Sequence, residues 1–558
     1  MEIKLYDYKI LFIICFLLIT STAHSQNTLG ATLNTDNSFI GYTLLSPNSP
    51  LLPSKTFLIN NCGEIVNEWS SNYKAWGVDY ITNNGDLYSA HVDNKSTLNI
   101  RGNTGRIEKK DWNNNLIWGY TFSDTDFSFH HDYLPLPNGN IILVVAYRKT
   151  EQEAIAIGRD PSTLDEGELY DERIIEIKPI GNDDIEIVWE WRLWDHLIQD
   201  FDSSKSNFGT ISDHPELLDV NFTGNSNSDA DWLHISSIDY NNQLDQILFS
   251  SPRLSEFYVI DHSTTTAEAA TSSGGNSGKG GDILYRWGNP QIYDRGGNDD
   301  QKLYGQHTVH WIPTGLQDEG KFMLFNNGSG RDFSSVDIIN PPVDQNGNYT
   351  ITNATPFLPS EPDWSYSNES NPIDFFSPLI SSAYRLENGN ILITEGTKSK
   401  IFEINAQKEI VWEYISPYRN DVILSQGDTN TGAAASWIFR GKRYSYDYSA
   451  FIGKDLTPTG YIEQNPVPAN CTLFNTLSVE EFDLDTSFAI YPNPSNDIIN
   501  ITNRKSLDYE VELFSFNGQK ITLKLDKNSL DLSTLTSGIY LLRINTENDS
   551  LIKKVVKR

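Results

Sequence analysis

Short segments in which apolar and polar residues alternate recur along the chain, and turn residues separate them. Asn84-Gly85, Asn138-Gly139 and Asn388-Gly389 each follow such a segment. Asn-Gly pairs fit the primed turns that join two antiparallel strands in a hairpin. A period of two is the period of a β-strand with one buried face. The pattern therefore predicts an all-β chain built from short hairpins.

A second pattern marks the outer end of each repeated unit. It is a short apolar run that mostly ends on Trp or Tyr, and we interpret it as an outer strand whose aromatic residue packs between units. Units of a few strands, repeated about every 40–75 residues with insertions, are typical of propeller blades. Five such units and a closing blade shared by the two ends of the body predict a six-bladed β-propeller. The runs are Glu64-Ile65-Val66, Asn115-Leu116-Ile117-Trp118, Glu186-Ile187-Val188-Trp189, Asp282-Ile283-Leu284-Tyr285 and Glu409-Ile410-Val411-Trp412.

The two ends of the chain differ from this body, which we place at residues 26–477. Lys4 and Lys9 precede an apolar run at residues 10–19, which predicts a secretory signal peptide over residues 1–25, cleaved after Ser25. Cys15 lies inside that run and is removed with it. Because no other stretch approaches spanning length, we expect no transmembrane segment in the mature protein.

At the other end, residues 478–487 form an acidic linker, and residues 488–558 predict a small C-terminal β-sandwich from alternating segments with turn residues between them. Its markers are Tyr491-Pro492-Asn493-Pro494, the segments 497–501, 509–516 and 538–544, the turn Asn517-Gly518 and the basic tail 553–558.

Composition narrows the class of protein. The chain has 558 residues, and 42 Lys and Arg against 74 Asp and Glu give a net charge of −32, which argues against nucleic acid as a partner. Residues 486–558 carry ten bases and eight acids and the signal segment is neutral, so residues 26–485 carry −34. An aromatic content of 12% argues against an acidic disordered chain. Removal of Cys15 leaves Cys62 and Cys471, whose pairing the spacing does not decide.

Three of the ten histidines fall at one repeated position. His131, His234 and His307 each precede a hairpin turn with six residues between, and Gly77 and Ser381 hold the same position in two other units. Equivalent positions lie at equal height around a propeller axis, so the three imidazoles are expected to converge at one mouth of the channel.

Strand alternation refines that picture. It predicts that His130 faces away from His131, and that His310 faces away from His307, which counts against a metal pair on that strand. No metal or cofactor is predicted from these residues.

Other polar residues are expected at the same mouth, because the second strand of each unit returns there. Arg253 follows the second strand of the unit that holds His234. Thr394-Glu395 and Asn326-Asn327 end the equivalent strands of two other units and are weaker candidates for substrate contacts. Three imidazoles and one guanidinium form a cup for an anion, and a neutral imidazole is a competent nucleophile. The residues alone indicate anion binding or group transfer through histidine.

The body resembles the bacterial arylsulfate sulfotransferases over roughly residues 40–465. That resemblance implies a six-bladed propeller that transfers a sulfuryl group from a phenolic sulfate to a phenolic acceptor, without a nucleotide sulfate donor. The motifs that carry it include Asp231-Trp232-Leu233-His234, residues 251–270 and 280–290, Gly305-Gln306-His307, Thr394-Glu395-Gly396, and residues 401–404, 411–414 and 438–444.

The resemblance also implies roles for single residues. His307 matches the nucleophile that becomes sulfated, His234 and Arg253 match residues that hold the sulfuryl oxygens, and His131 matches a partner in proton transfer. The chain departs from the family pattern at Pro252, where members often carry Ser, and at Ser236, where many carry Asn. We therefore expect the substrate contacts at these two positions to differ from those of other members.

The C-terminal motifs resemble the sorting domain of the type IX secretion system. This implies passage through the periplasm, a secretion machinery as partner, and a secreted or surface-attached product. Two alternatives stay open from the residues: a non-catalytic exported propeller that binds glycans, and a quinone-dependent propeller dehydrogenase. Residues 150–229 read as a long insertion that could be a lid, a partner surface or a decorated loop.

Overall fold

The protein is described here by a computed structural model whose chain divides into two compact units, Met1–Leu473 and Phe474–Arg558. The predicted signal peptide, the acidic linker and the turn Asn517-Gly518 lie outside the described residues. The structure describes residues 27–224, 229–351, 354–368, 370–430, 437–474, 488–503, 509–515, 519–523, 525–526, 528–546 and 550–558.

The described part of the first unit contains six antiparallel sheets, which we number one to six along the chain. Strand β1 (Gly30–Asn34) belongs to sheet six. Sheet one contains β2 (Gly41–Pro47), β3 (Ser54–Ile59) and β4 (Ile65–Ser71). Sheet two contains β5 (Lys74–Ile81), β6 (Leu87–Val92), β7 (Gly105–Lys110) and β8 (Leu116–Thr121). Sheet three contains β9 (Phe127–Pro135), β10 (Ile141–Thr150), β11 (Glu168–Ile180) and β12 (Asp184–Arg192).

The later sheets repeat the same four-stranded meander. The short strands β13 (Leu197–Ile198) and β14 (Leu218–Asp219) pair with each other before it resumes. Sheet four contains β15 (Ser237–Asn241), β16 (Gln246–Ser251), β17 (Glu256–Asp261) and β18 (Tyr285–Trp287). Sheet five contains β19 (His307–Trp311), β20 (Phe322–Asn326), β21 (Ser335–Ile339) and β22 (Trp364–Tyr366). Sheet six contains β23 (Ser382–Arg385), β24 (Ile391–Glu395), β25 (Lys400–Ile404) and β26 (Ile410–Ile415), with β1 paired to β26.

The two ends of the unit close the arrangement together. After the small hairpin β27 (Tyr418–Arg419) and β28 (Val422–Ile423), strand β29 (Ile438–Ser445) pairs with β2 and becomes the innermost strand of sheet one. The innermost strands β29, β5, β9, β15, β19 and β23 contact one another in that order, and β23 contacts β29 again. The described sheets therefore form a closed ring, and the shared closing sheet was expected from the sequence.

Helices are few among the described residues and lie between strands. Two short α-helices, α1 (Glu151–Ala156) and α2 (Thr266–Ala269), both begin with a capping box from Thr150 and Thr265. The 3₁₀ turns are Pro161–Thr163, Leu193–Asp195, Ile211–Asp213, Pro290–Tyr293, Asn298–Asp300, Pro372–Asp374, Gly396–Lys398, Ser449–Phe451 and Pro468–Asn470.

The prediction of a long insertion over residues 150–229 is wrong in part, because these residues include two regular strands of sheet three, β11 and β12. Only the segments around these strands lie outside the repeated meander.

The aromatic residues predicted to pack between units do so. Their indole nitrogens donate across to the neighbouring sheet: Trp118 to the Asp184 carbonyl at 3.1 Å, Trp189 to Thr264 Oγ1 at 3.1 Å, and Trp412 to the Asn61 carbonyl at 2.7 Å. All three tryptophans are buried. A ring of sheets is stabilised at its rim in this way, because each indole buries a large apolar area and satisfies its one donor.

The hairpin turns are at the predicted places, but their type differs from the prediction. A primed type I turn needs a positive φ at both central residues. Here only the glycine has one, with φ of 88° at Gly85, 90° at Gly139 and 86° at Gly389. Each turn is a three-residue loop whose flanking residues hydrogen-bond, such as the Thr82 N–H to the Asp86 carbonyl at 2.9 Å. This is a type I turn that ends on a left-handed glycine.

A buried ion pair lies at the centre of the ring. The Arg440 guanidinium donates to both carboxylate oxygens of Asp132, at 2.9 and 2.6 Å, and joins sheet one to sheet three. Asp132 also accepts from the Ile238 N–H of sheet four at 2.9 Å. Asp132 is fully buried and Arg440 nearly so. Burial opposes the charge on Arg440, but the Asp132 carboxylate raises the pKa of Arg440 well above its usual value.

The same guanidinium reaches the remaining sheets. Its Nη1 donates to the Tyr80 hydroxyl of sheet two at 3.0 Å, and its Nε donates to Thr308 Oγ1 of sheet five at 3.3 Å. Thr308 Oγ1 in turn donates to the carbonyl of Ser381, directly before the first strand of sheet six, at 2.8 Å. One hydrogen-bonded network therefore ties all six described sheets together at the axis.

Cys62 and Cys471 form a disulfide, which the sequence had left open. Cys62 lies in the turn between β3 and β4, and Cys471 lies 409 residues later, near the end of the first unit. The bond attaches the last described segment of this unit to sheet one, the sheet that both ends of the unit share.

The second unit contains two four-stranded sheets around one hydrophobic cluster, to which Ile499 and Leu542 contribute from opposite sheets. The first sheet has the order β30-β31-β35-β34 and the second β33-β32-β36-β37. The strands are β30 (Phe488–Tyr491), β31 (Ile498–Asn503), β32 (Glu510–Ser515), β33 (Lys520–Ile521), β34 (Leu525–Asp526), β35 (Ser529–Asp531), β36 (Gly538–Asn545) and β37 (Ser550–Lys557). Among the described residues of the whole chain, no helix is long and apolar enough to cross a membrane.

The central ion pair gives a stability prediction. Arg440→Met leaves the Asp132 carboxylate buried without its counter-ion, so the free energy of unfolding should fall by about 3–5 kcal/mol. Lys55→Met is the control, since it breaks the exposed Lys55–Glu68 pair and should cost at most about 1 kcal/mol. Urea denaturation followed by tryptophan fluorescence measures both. Equal losses in the two variants would contradict a central role for the pair.

Candidate functional site

The predicted histidines occupy a repeated distortion of the innermost strands. Gly77, His131, His234 and Ser381, which share the predicted position, all have a positive φ, of 100°, 54°, 56° and 87°. In sheet five the left-handed residue is Thr308, with φ of 52°, directly after His307. Pairing with the second strand is interrupted at the corresponding point in sheets two, three and five. A left-handed conformation costs a side-chain-bearing residue about 1–2 kcal/mol, so the ring stores strain where the histidines lie.

These interruptions correct the alternation argument. His130 and His131 are not separated by the strand, because their Nδ1 atoms lie 2.8 Å apart and their rings are in contact. His307 and His310 pair with Phe325 and Met323, which are two residues apart, so simple alternation does not assign them to opposite faces. A bulge adds a residue to one strand and resets the alternation beyond it.

His307 is held through one ring nitrogen only. Its Nδ1 lies 2.8 Å from Asn327 Oδ1 and 3.1 Å from the Gly305 carbonyl. Asn327 is oriented by its own amide, which donates at 2.7 Å to the carbonyls of Ser377 and Ile380. Both contacts of Nδ1 are therefore acceptors, so Nδ1 carries the proton and the lone pair is on Nε2.

His234 is held in a different way, by a carboxylate. Its Nδ1 lies 2.6 Å from Asp231 Oδ2, and Asp231 is fully buried. Arg253 Nη2 lies 3.5 Å from the same carboxylate oxygen and 2.9 Å from Asp229 Oδ2. The predicted association of Arg253 with His234 is therefore present, and Asp231 is the group that joins them.

His131 is connected to a buried acid through its neighbour in sequence. His130 Nδ1 contacts His131 Nδ1, while His130 Nε2 lies 2.9 Å from Glu172 Oε2 on β11. His130 is fully buried, and Glu172 and His131 are nearly so. The imidazole of His131 also packs against that of His234, with ring centroids 4.4 Å apart.

Burial and nearby charges shift the pKa values of these imidazoles in different directions. Burial lowers the pKa of His307 to about 4, although the hydrogen bond between Nδ1 and Asn327 opposes that effect. Burial also lowers the pKa of His131 far below its usual value, and the charge on His130 acts in the same direction. Burial acts on His130 as well, but the Glu172 carboxylate outweighs it and raises the pKa. His131 and His307 are therefore neutral at pH 7.

The three site imidazoles share one arrangement. Each uses Nδ1 for its contact, and within the described residues no hydrogen-bond partner is found for the Nε2 atoms of His131, His234 or His307. Trp76 packs edge-on to His131, and Phe439 packs against His307 and Trp76. The site therefore presents free imidazole nitrogens beside an aromatic wall, which suits an aromatic ligand with an anionic group.

Gly102 lies against the outer edge of His131. A Cβ atom at this position would be only 2.3 Å from His131 Nε2, and Gly102 has a φ of 99°. Both facts exclude a larger residue there without movement of His131.

The weaker candidates lie in other surroundings. Thr394 Oγ1 accepts from the Gly441 N–H at 3.0 Å, and Glu395 pairs with Lys398 and Lys400 at 2.8 and 2.7 Å. These are contacts within sheet six and with β29.

Asn326 and Ser236 are the remaining weaker candidates. Asn326 bonds the backbone of Tyr304 and Lys302 and the Asp337 carboxylate, so it does not join its neighbour Asn327 at His307. Ser236 lies two residues after His234, fully buried, and its hydroxyl has no partner within the described residues.

A cavity of about 820 Å³ occupies the opposite, turn-bearing end of the innermost strands. Its wall includes His310, Tyr384 and Lys442, and it includes none of the three site histidines. Arg440 borders the cavity and also contributes to the low pKa of His307, so it lies between the two. Among the described residues, no group of three or more His, Cys, Asp or Glu side chains could hold a metal ion.

Sequence reasoning overlooked three buried groups of the site, namely Asp231, His130 and Glu172. Asp231 stands in the quoted motif before His234, so a carboxylate three residues from a candidate histidine was an available signal. His130 was set aside by the alternation rule. Glu172 comes from β11, which the sequence had placed in an insertion, and no local pattern connects it to His130.

Two family models match the chain. A family model described as arylsulfotransferase (ASST) matches residues 54–431, more than half of the chain. A second, described as a secretion system C-terminal sorting domain, matches residues 489–558, and it implies export with secretion or attachment at the cell surface. No curated protein sequence matches the chain.

Solved structures resemble it only distantly. A protein of unknown function from Bacteroides caccae is 12% identical, with 67% of this chain and 93% of that chain covered and a TM-score of 0.36. The periplasmic gluconolactonase of Pseudomonas aeruginosa is 9% identical, with 73% and 99% covered and a TM-score of 0.35. Similarity at this level says nothing about activity.

The hydrogen bonds of His307 predict its titration. In ¹⁵N-histidine NMR spectra, His307 should keep its proton on Nδ1 between pH 5 and 8 and become charged only near pH 4, because burial favours the neutral ring. Asn327→Asp places a carboxylate at Nδ1 and should raise that pKa by about 1–3 units. The signal is assigned by its loss in His307→Asn. Titration of the wild-type residue near pH 6.5 would contradict the geometry.

Proposed function

The chain belongs to the arylsulfotransferase family, and from that membership we propose that it transfers a sulfuryl group from a phenolic sulfate ester to a phenolic acceptor through a sulfohistidine at His307. Family membership supports sulfuryl transfer in general. The observation that carries the finer proposal is the state of His307. Its Nδ1 is occupied by Asn327, its Nε2 has no hydrogen-bond partner among the described residues, and burial keeps the ring neutral at pH 7.

In the first half-reaction, His307 Nε2 attacks the sulfur of the donor. The N–S bond forms as the bond between sulfur and the aryl oxygen breaks, and the electron pair of that bond leaves on the aryl oxygen. A phenol has a pKa near ~10, so its anion is a tolerable leaving group that benefits from a proton. His131 lies beside His234 and has a free Nε2, and we assign it the proton transfer.

Arg253 and His234 are assigned to the sulfuryl oxygens. A guanidinium offers paired donors that match a tetrahedral oxyanion, and a nearby imidazole adds a further donor. Asp231 supports both residues, since its carboxylate contacts His234 Nδ1 and lies near Arg253. Fixed donors of this kind stabilise charge that moves through the transition state.

In the second half-reaction, the acceptor phenol attacks the same sulfur. It loses its proton to His131 Nε2 as its oxygen bonds to sulfur, and the N–S electron pair returns to His307 Nε2. The enzyme is then in its starting state, and a covalent intermediate of this kind gives ping-pong kinetics. The scheme needs no nucleotide and no other cofactor.

The architecture fits the same proposal. We interpret the ring of sheets within residues 26–477 as a six-bladed propeller, and the two sheets within residues 488–558 as a β-sandwich joined by a linker at 478–487. A signal peptide at residues 1–25 would direct passage through the periplasm, and the type IX machinery would recognise the C-terminal domain. Phenolic sulfates and phenols are the proposed small-molecule partners.

The covalent intermediate is testable by mass. Incubation with 4-nitrophenyl sulfate alone should add one sulfuryl group to the wild-type protein, and peptide mapping should place it on His307. His307→Asn should take no label and should lose transfer to added phenol, while its thermal unfolding stays close to wild type because Asn keeps a polar group at this position. A wild-type protein that takes no label from a range of aryl sulfates would exclude the covalent mechanism.

Adjacent asparagines provide a matched pair for the positioning of His307. Asn327→Leu removes the nearer of the two acceptors that keep the proton on Nδ1, so kcat should fall by about 10²-fold or more while the low pKa of His307 persists. Asn326 is equally buried but bonds the Asp337 carboxylate and the backbone of Tyr304 and Lys302, so the effect of Asn326→Leu should appear in the unfolding midpoint. Comparing kcat with the midpoint for each variant separates the two roles. Similar kcat losses in both would contradict a specific role for Asn327.

A further inference from the structure

A ping-pong sulfuryl transfer must hold a proton between its two halves. The departing aryl oxide takes a proton from the enzyme, and the acceptor phenol returns one later. The site imidazoles are nearly buried, so exchange with bulk water is restricted there. The proposed function therefore requires a group that can store this proton, and the inference below rests on that function.

The structure contains a chain of hydrogen bonds that leads inward from His131. His131 Nδ1 and His130 Nδ1 lie 2.8 Å apart, and His130 Nε2 lies 2.9 Å from Glu172 Oε2. Glu172 Oε1 accepts from the Ile235 N–H at 3.4 Å, so both carboxylate oxygens are engaged. The side chains of His131, His130 and Glu172 are all at least nine-tenths buried.

We propose that Glu172 and His130 are a buried proton store that sets His131 alternately as an acid and as a base. Two neighbouring Nδ1 atoms at this distance need one proton between them, so only two arrangements satisfy the contact. When His130 is protonated, its Nδ1–H donates to His131, and His131 carries its proton on Nε2. When His130 is neutral, His131 carries its proton on Nδ1, and its Nε2 is a base.

The proton balance follows from these two states. In the first half-reaction, His131 Nε2–H protonates the leaving aryl oxide, and His131 Nδ1 takes the proton of His130 Nδ1. In the second, the acceptor phenol protonates His131 Nε2, and the Nδ1 proton moves back to His130. His130 keeps its Nε2–H on the Glu172 carboxylate throughout. Each turnover therefore takes one proton from the store and returns one.

The surrounding charges favour this division of roles. Burial opposes a charge on His130, but Glu172 and, more weakly, Asp231 raise its pKa. On His131, burial has the largest effect, and the positive charges of His130 and Arg253 act in the same direction to lower the pKa. The stored proton therefore belongs on His130, while His131 stays neutral in both states.

Glu172→Gln tests the store while keeping the shape of the side chain and its contact with the Ile235 N–H. The readout is single-turnover labelling of His307 by two donors at pH 7. Nitrophenolate is a stable anion and leaves without a proton, so labelling by 4-nitrophenyl sulfate should stay within about threefold of wild type. Phenolate needs the proton, so labelling by phenyl sulfate should slow by about 10²-fold.

Glu176→Gln is the matched control. Glu176 lies on the same strand, four residues later, and pairs with another histidine, the partly buried His262, at 3.0 Å. Within the part of the chain that the structure describes, Glu176 bonds Asn138, Asn140 and His262 but neither His130 nor His131, so both donors should label this variant at the wild-type rate. If Glu172→Gln does not fold, His130→Gln breaks the same chain and is measured in the same way.

The outcomes separate this proposal from the proposed function. A wild-type protein that neither donor labels would remove the function itself. A labelled wild type with Glu172 and His130 variants that slow both donors equally, or neither, would overturn the proton store and leave the sulfohistidine in place. Slowing of phenyl sulfate alone, absent in Glu176→Gln, supports the store.

Discussion

The buried Arg440–Asp132 ion pair is the interaction on which the rest of the first unit depends. Two charges taken out of water are favourable only when geometry and further hydrogen bonds satisfy them, and here the two-pronged contact meets that condition. Its extensions to Tyr80, Ile238 and Thr308 bring the innermost strands to one point. Polar contacts therefore join the sheets at the axis of the ring, whereas apolar packing joins them elsewhere.

That axis also fixes the reacting groups. Asp132 directly follows His131, and Thr308 directly follows His307, so these residues of the centre are the neighbours of those proposed to carry the chemistry. The left-handed residues turn the strand at these points and release the imidazoles from simple alternation. Stability and function therefore depend on adjacent positions. The strained backbone is tolerated because several hydrogen bonds of the network hold it in place.

The repeat, the closing sheet and the outer aromatic positions were predictable because each depends on local pattern or on spacing. The grouping of His131 with His234 followed from equal spacing to the turn. The partners were not predictable: Asp231 meets His234, which has a left-handed backbone ahead of β15, and Glu172 meets His130 at a bulge, from a long strand that local pattern placed in an insertion. Spacing placed Glu395 and Asn326 at polar strand ends, but it did not reveal that they contact Lys400 and Asp337.

The negative charge of the protein contrasts with the groups in the site. Residues 26–485 carry a charge of −34, yet the groups that would meet an anionic sulfate are imidazoles and one guanidinium inside the ring. Neutral, buried imidazoles avoid the cost of a buried charge and remain nucleophilic, which is what sulfuryl transfer at pH 7 requires. The acidic exterior keeps an exported protein soluble and leaves recognition to the site.

The central claim is that the sulfuryl group rests on the protein between donor and acceptor. Stopped-flow absorbance with 4-nitrophenyl sulfate and no acceptor tests it most directly. The account predicts a burst of nitrophenolate equal to about one equivalent of enzyme, followed by slow release that added phenol accelerates. Nitrophenolate that appears only after phenol is added, with no burst, would contradict it.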